Sequence, residues 1–444
     1  MKNKWLYISK SDLEIELEQL KDEGREISKV LPKFKKLLKV KDEMKYQVEF
    51  GALLDETIML PMRKNYKYLE PSDLNGIKKA RPSCRFKKQR KLTIKKEFDI
   101  IYGAWLGRCA GCLLGKPVEG IKRGSLEEYL TGIDNFPLKN YIKSVPKMLK
   151  KVKWYDTPSF IDKVDRMVED DDTNYTVTGL VVMKNHGKDF KSEDVANFWM
   201  QNIPLLHTCT AERVAYRNFA IKIQPPASAT YRNAYREWIG AQIRADFFGY
   251  VALGDPEKAA EYAFRDASIS HVKNGIYGEM WVAAMLAAAP YYDDPKDVIN
   301  AGLNEIPKNC RLTEDIKKVI NWYFEGINYS EAIDRIHKLW DEKSRHHWVH
   351  TNSNAQIVAM GLLFSEMDFE KSVCRAVEAA FDTDCNGATV GSIMGMMLGA
   401  KKLPKKWTGP LHDTLETGIA GYHLVKISDL AKETLKIRKI NERI

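Results

Sequence analysis

No apolar run in this 444-residue chain reaches the ~20 residues needed to cross a bilayer. The opening Met1-Lys2-Asn3-Lys4-Trp5 lacks the apolar core of a secretory signal. The stretch from Trp281 to Pro290 is apolar, but it is too short and too alanine-rich for a span. A disulfide framework is missing as well, because the seven cysteines are odd in number and scattered. Cys109 and Cys112 form a C-x-x-C pair with no further ligands at zinc spacing and no thioredoxin-like strand–helix context, so they read as packing residues. There is no H-E-x-x-H helix, no G-x-S-x-G elbow and no strand–G-x-G-x-x-G–helix unit. Gly115-Lys116 looks like the end of a phosphate loop, but the first glycine and the Ser/Thr are missing and Pro117 follows. Alternating β-branched runs, the signature of a sheet, are scarce. These absences exclude membrane, secreted disulfide-rich and dinucleotide-binding classes, and they predict a soluble, cytoplasmic, all-α protein.

What the chain does contain is a globular composition, 44% hydrophobic and 10% aromatic, with an unevenly spread net charge of +10. Basic residues crowd Ile77 to Lys96: Lys78, Lys79, Arg81, Arg85, Lys87, Lys88, Arg90, Lys91, Lys95 and Lys96. Such a run reads as a solvated connector, with a phosphate-binding surface as the alternative.

Residues 1–96 are expected to form a helical extension with a basic linker, and 97–444 the main domain. Ser11, followed by Asp12 and Glu14, predicts a helix start, and helix-period apolar residues run over Ser11–Val30 and Pro32–Leu54. From Phe98 onward, helix signals recur at Ser192, Asp255-Pro256, Thr313, Ser330 and Asp368. Gly103, Gly107, Gly111 and Gly115 lie on one helical stripe, as do Gly387, Gly391, Gly395 and Gly399. Each glycine costs a helix about 1 kcal/mol against alanine, so two such stripes predict a close backbone crossing.

Two acidic clusters carry the chemistry. Asp170-Asp171-Asp172-Thr173 and Asp382-Thr383-Asp384-Cys385-Asn386 each open a small-residue helical segment. One carboxylate at a helix start is a cap. Three in a row, matched downstream by a second Asp-x-Asp, exceed what capping asks for. Carboxylates this close repel unless protons or cations neutralise them, and hard divalent ions prefer such oxygen ligands. The pattern predicts a two-ion hydrolytic centre.

Gly103-Ala104-Trp105-Leu106-Gly107 through Gly115-Lys116-Pro117-Val118-Glu119 resembles the opening segment of the ADP-ribosylglycohydrolase family, which includes dinitrogenase reductase-activating enzymes and ADP-ribosylarginine and ADP-ribosylserine hydrolases. The two aspartate clusters resemble its metal motifs. Gly240-Ala241-Gln242-Ile243-Arg244 is similar to its glycine–methionine–arginine segment, and Ser270-His271 with Gly275-Ile276-Tyr277-Gly278 to its substrate-side histidine region. The order holds from about Phe98 to Ala400.

The resemblance implies a compact orthogonal helical bundle with two Mg²⁺ or Mn²⁺ ions. The implied metal set is Asp170, Asp171, Asp172, Asp382, Asp384 and Cys385. Asp382 would complete the second ion's shell with Asp384 bridging, and Asp170 stands where many members have a threonine ligand. Cys385 stands where they have Thr or Ser, a thiol that is a poor ligand for a hard ion and so drops out or uses its backbone carbonyl. Glu119 would reach the metal centre, and Glu119 or an aspartate would take a proton from the attacking water. Gly240, Arg244, His271, Gly275, Tyr277, Gly278 and Asn352 are candidate substrate contacts. Arg236-Glu237-Trp238-Ile239 departs from the family's small polar pattern. The implied partner is an ADP-ribosylated protein or small molecule, cleaved at the glycosidic bond. Two alternatives stand beside it: a metal-dependent nuclease or phosphoesterase using the basic segment, and an inactive binding protein of the same fold.

Overall fold

Close contact between two glycine-bearing helices sets the frame of the molecule. This computed structural model describes residues 4–84, 86 and 91–443. Among them, twenty-two α-helices, eleven short 3₁₀ helices and one two-stranded antiparallel pair, β1 (Thr414–Glu416) and β2 (Leu424–Lys426), make up the regular structure. The fold is all-α. The helices that position the site are α1 (Lys10–Asp22), α2 (Gln47–Ile58), α3 (Ile94–Gly115), α4 (Asp171–His186), α5 (Thr210–Ala220), α6 (Pro256–Ala267), α7 (Asn274–Ala288), α8 (Arg311–Phe324), α9 (Thr351–Leu363) and α10 (Thr383–Leu398).

Helices α3 and α10 meet backbone to backbone. A Cβ on Gly107 would overlap the carbonyl of Gly391, one on Gly111 that of Gly387, and one on Gly115 that of Thr383. Gly103 faces Gly395 in the same way. Gly399 has another role: with φ +83° it terminates α10, a conformation glycine adopts without strain. The crossing places the end of α3 beside the start of α10, where Thr383 Oγ1 donates to the Gly115 carbonyl at 2.9 Å. Every residue of α7 is buried, so the apolar Trp281–Pro290 stretch belongs to the core. Among the described residues no helix is long and apolar enough to cross a membrane.

Helix starts follow local chemistry with small shifts. Asp255 and Asp368 cap their helices as expected, and Ser192 opens one. The Thr313 and Ser330 signals fall just inside helices capped earlier, by Cys310 and Asn328. Ser11 is not a cap. The capping box is Ser9 with Asp12, the same spacing two residues earlier, because Ser9 holds the extended backbone that a cap requires. The helix-period residues of Pro32–Leu54 fall on a short helix over Leu31–Leu37 and then on α2.

The first residues build a small apolar core of their own around Leu13, Leu20, Phe34, Phe50 and Leu54. They dock onto the body through buried charges. Arg236 binds Glu16 at 2.5 Å and Glu23 at 2.7 Å, Lys273 lies 3.3 Å from Glu23, and Arg311 joins Glu70 at 2.9 Å to Glu237 at 2.7 Å. Gln19 adds a hydrogen bond to Glu237 at 2.8 Å. The unusual Arg236-Glu237 pair is therefore the receiving surface for the N-terminal region. In the basic stretch, Lys78 pairs with Glu261, and Arg81 with Glu257 and Glu305. Arg85, Lys87, Lys88 and Arg90 lie outside the described residues.

Candidate metal centre

Helix α4 begins at the first aspartate cluster and α10 at the second, and the two helix starts face each other beside the end of α3. Carboxylate oxygens of Asp172 and Asp384 and the sulfur of Cys385 all lie within 4.8 Å of one another. A second trio, Glu119, Asp382 and Asp384, does the same, and a third joins Cys112, Asp170 and Asp172. The long-range meeting of the clusters is thus a property of the fold.

The individual aspartates are not equivalent. Asp170 caps α4, its Oδ1 accepting the Asp172 N–H at 2.8 Å, while its Oδ2 accepts from Lys116 Nζ at 2.5 Å. Both oxygens are occupied, so the capping role expected of a lone aspartate falls to this residue. Asp172 accepts from Arg108 through Oδ1 at 3.1 Å, but its Oδ2 is buried without a partner. Asp382 Oδ1, Asp384 Oδ1 and Asn386 Oδ1 are likewise buried and unpartnered. Asp171 is half-buried, and among the described residues its side chain makes no hydrogen bond. Glu119 is exposed at the rim.

Electrostatically the site holds more negative charge than its cations balance. Six carboxylates face Lys116 and Arg108, and Arg108 is shared with Asp246 at 2.8 Å. Burial and the neighbouring aspartates push Asp172 and Asp382 well above the usual carboxylate range. Burial, Asp170 and Asp384 bring Asp171 up to about 8. The charge on Asp384, then burial, raises Glu119 as well. Asp170 goes the other way: burial would raise it, and the Lys116 ammonium holds it below the ordinary value. Unpartnered buried oxygens converging under mutual repulsion are what a divalent cation relieves, so the donor set fits oxygen-ligated ions.

Sequence reading gave Arg108, Cys112 and Lys116 no role at the site, although they form an every-fourth-residue row beside the α3 glycines. Asn354 on α9 had no motif. Its Oδ1 accepts from Asn386 Nδ2 at 2.8 Å and from the Asp382 N–H at 3.3 Å, which fixes the second cluster. Beside Glu119, Trp154 and Trp348 each reach within 3.6 Å of where a Cβ on Gly120 would be.

Other expected contacts lie elsewhere. Arg244 is enclosed by Glu212, Asp266, the Gly240 carbonyl and Ser270, which occupy its Nε and both Nη atoms, and it stacks on Trp199. No donor remains for a substrate phosphate. His271 is buried, hydrogen-bonded to Ser270 at 2.8 Å, and held neutral by burial and by Arg244. Tyr277 donates to the Pro71 carbonyl of the N-terminal region, and Asn352 donates to Asp315 at 2.8 Å. Gly240, Gly275 and Gly278 admit the Glu212 carboxylate, the Arg236 carbonyl and Thr351 respectively. Arg244, His271, Tyr277 and the three glycines contact the interior and the N-terminal dock, and Asn352 also lines a cavity with Asp22, Arg311 and His350.

The sequence profile of the ADP-ribosylglycohydrolase family matches residues 93–439. The chain belongs to the ADP-ribosylglycohydrolase family. A solved structure of an ADP-ribosylglycohydrolase-related protein complex superposes with a TM-score of 0.51 at 17% identity, covering 78% of this chain and 99% of that one. That likeness is one of fold. No curated protein sequence matches. In this member of the ADP-ribosylglycohydrolase family, α3, α4 and α10 all fall within the matched residues, and α1 and α2 precede them.

Proposed function

We propose that the protein hydrolyses a glycosidic bond between ADP-ribose, or a related ribosyl group, and an acceptor, using divalent ions held by Asp171, Asp172, Asp382, Asp384 and Glu119. The observation that carries this is the convergence of unpartnered, buried oxygens of Asp172, Asp382 and Asp384 from two helix starts. Family membership supports a glycohydrolase-type reaction.

Ions bound there, Mg²⁺ or Mn²⁺ in the family pattern, would hold vicinal ribose hydroxyls and stabilise charge developing at the anomeric carbon. The side chains supply the rest. Arg108 fixes Asp172 through its carboxylate and carbonyl, and Lys116 fixes Asp170, so the first cluster keeps its geometry when substrate arrives. Asn354 holds the second. With ions bound to offset the neighbouring charge that raises these carboxylates, Glu119 or one of the aspartates would take the proton of the attacking water, as a positioned carboxylate does in glycoside cleavage. Unpaired thiols at all seven cysteines fit a reducing, cytoplasmic setting.

The test is release of free ADP-ribose from ADP-ribosylated arginine and serine peptides, with and without chelator. Activity that needs added Mn²⁺ or Mg²⁺ and vanishes in Asp384→Asn is expected. Release unaffected by chelator, or undiminished in that variant, refutes the reading.

A further inference from the structure

We infer that the centre is chemically asymmetric: Asp172, Asp384 and Cys385 form a sulfur-bearing subsite for one thiophilic divalent ion of the Zn²⁺ or Fe²⁺ class, beside an all-oxygen subsite of Glu119, Asp382 and Asp384 for a hard ion. The inference rests on the divalent-ion reading above and goes further by dividing the site between two kinds of metal.

Cys385 is nearly enclosed, at 6% exposure, and forms no disulfide. Its sulfur is within 4.8 Å of an oxygen of both Asp172 and Asp384. A packing thiol gains from apolar neighbours. This one sits among buried carboxylates, and two oxygens there, Asp172 Oδ2 and Asp384 Oδ1, have no partner. One sulfur and two carboxylates are a donor set that borderline and soft ions accept and that Mg²⁺ does not favour. The neighbouring trio is oxygen only, and its Glu119 reaches solvent, as suits a hard ion that keeps water ligands. Asp384 belongs to both trios and would bridge. On binding, the Cys385 thiol releases its proton to solvent and a sulfur–metal bond forms, with no change of oxidation state.

Cys112 supplies the internal control. It also lies near carboxylates, those of Asp170 and Asp172, but both Asp170 oxygens are occupied by Lys116 and the Asp172 N–H. Of the two carboxylates beside Cys112, Asp170 is therefore satisfied and only Asp172 keeps an unpartnered oxygen, whereas both carboxylates beside Cys385 keep one.

Co²⁺ titration of the full chain tests the assignment, because thiolate–cobalt bonds give a near-ultraviolet charge-transfer band. The wild type is expected to show that band, saturating at one equivalent. Cys112→Ser keeps it, and Cys385→Ser loses it while retaining helical circular dichroism. Zinc X-ray absorption on the wild type needs no variant and should show one sulfur at ~2.3 Å. Co²⁺ bound without the band, a band that survives Cys385→Ser, or zinc with no sulfur shell overturns the asymmetric centre and leaves the proposed hydrolase standing. Failure to bind any divalent ion overturns both.

Discussion

Asp172 and Asp384, distant in sequence, place carboxylate oxygens within 4.8 Å of each other, and each keeps one buried oxygen with no protein partner. Two helices that start at this point and one that ends there make the arrangement rigid.

Replacing Asp384 by Asn separates repulsion from ligation. In ion-free protein the change removes one charge from a crowded cluster, so the melting temperature should hold or rise. Mn²⁺ binding should weaken by more than the ~10–100-fold that outer ligand-supporting changes cost. Thermal melts with and without Mn²⁺ read both effects: the ion-induced increase seen in wild type should be absent.

The α3–α10 crossing predicts a sharp contrast between glycines. Gly111→Ala drives a methyl into the Gly387 carbonyl and should cost roughly 3 kcal/mol or more. Gly124→Ala, with nothing within 4 Å of the added Cβ and a helical position, should change stability by less than about 1 kcal/mol, in the favourable direction. Denaturant unfolding of the two variants measures the difference.

The N-terminal region should behave as part of the fold. Arg236→Met would leave Glu16 and Glu23 buried without their shared guanidinium, at a cost of about 3–5 kcal/mol. A chain begun at residue 93, where the family match starts, would expose Arg236, Arg311 and Lys273 at once. Reduced solubility and a lower melting temperature of that truncation are the expected readouts.

Acid should loosen the same dock. Burial would raise Asp22, but its hydrogen bond from His346 and the fields of His350 and Arg311 bring it down to about 2. A carboxylate depressed below its unfolded value of 3.8 contributes stability above that pH and loses it as pH falls towards 2. Its side chain is one-third exposed, so the discounted contribution is about 1 kcal/mol. Asp22→Asn should lower stability at pH 7 by that amount and converge on wild type only below about pH 2.

Sequence reading reached the features that rest on local chemistry. The aspartate clusters, the glycine rows and the caps at Asp255 and Asp368 follow from neighbours within a few residues. What it missed depends on tertiary partners. Asn354 gains its role only because α9 lies beside the start of α10. Arg244, His271 and Tyr277 resemble ligand contacts in one dimension, but in three they pair with the Asp266 carboxylate, the Ser270 hydroxyl and the Pro71 carbonyl. Arg236 and Glu237 looked anomalous until the region that covers them was placed.

The most direct test of the central claim is anomalous diffraction from crystals of the full chain soaked in Mn²⁺. The account predicts density bounded by Asp172, Asp382, Asp384 and Glu119, absent in Asp384→Asn. Well-ordered crystals with those carboxylates free of Mn²⁺, or with the ion bound elsewhere, would contradict it.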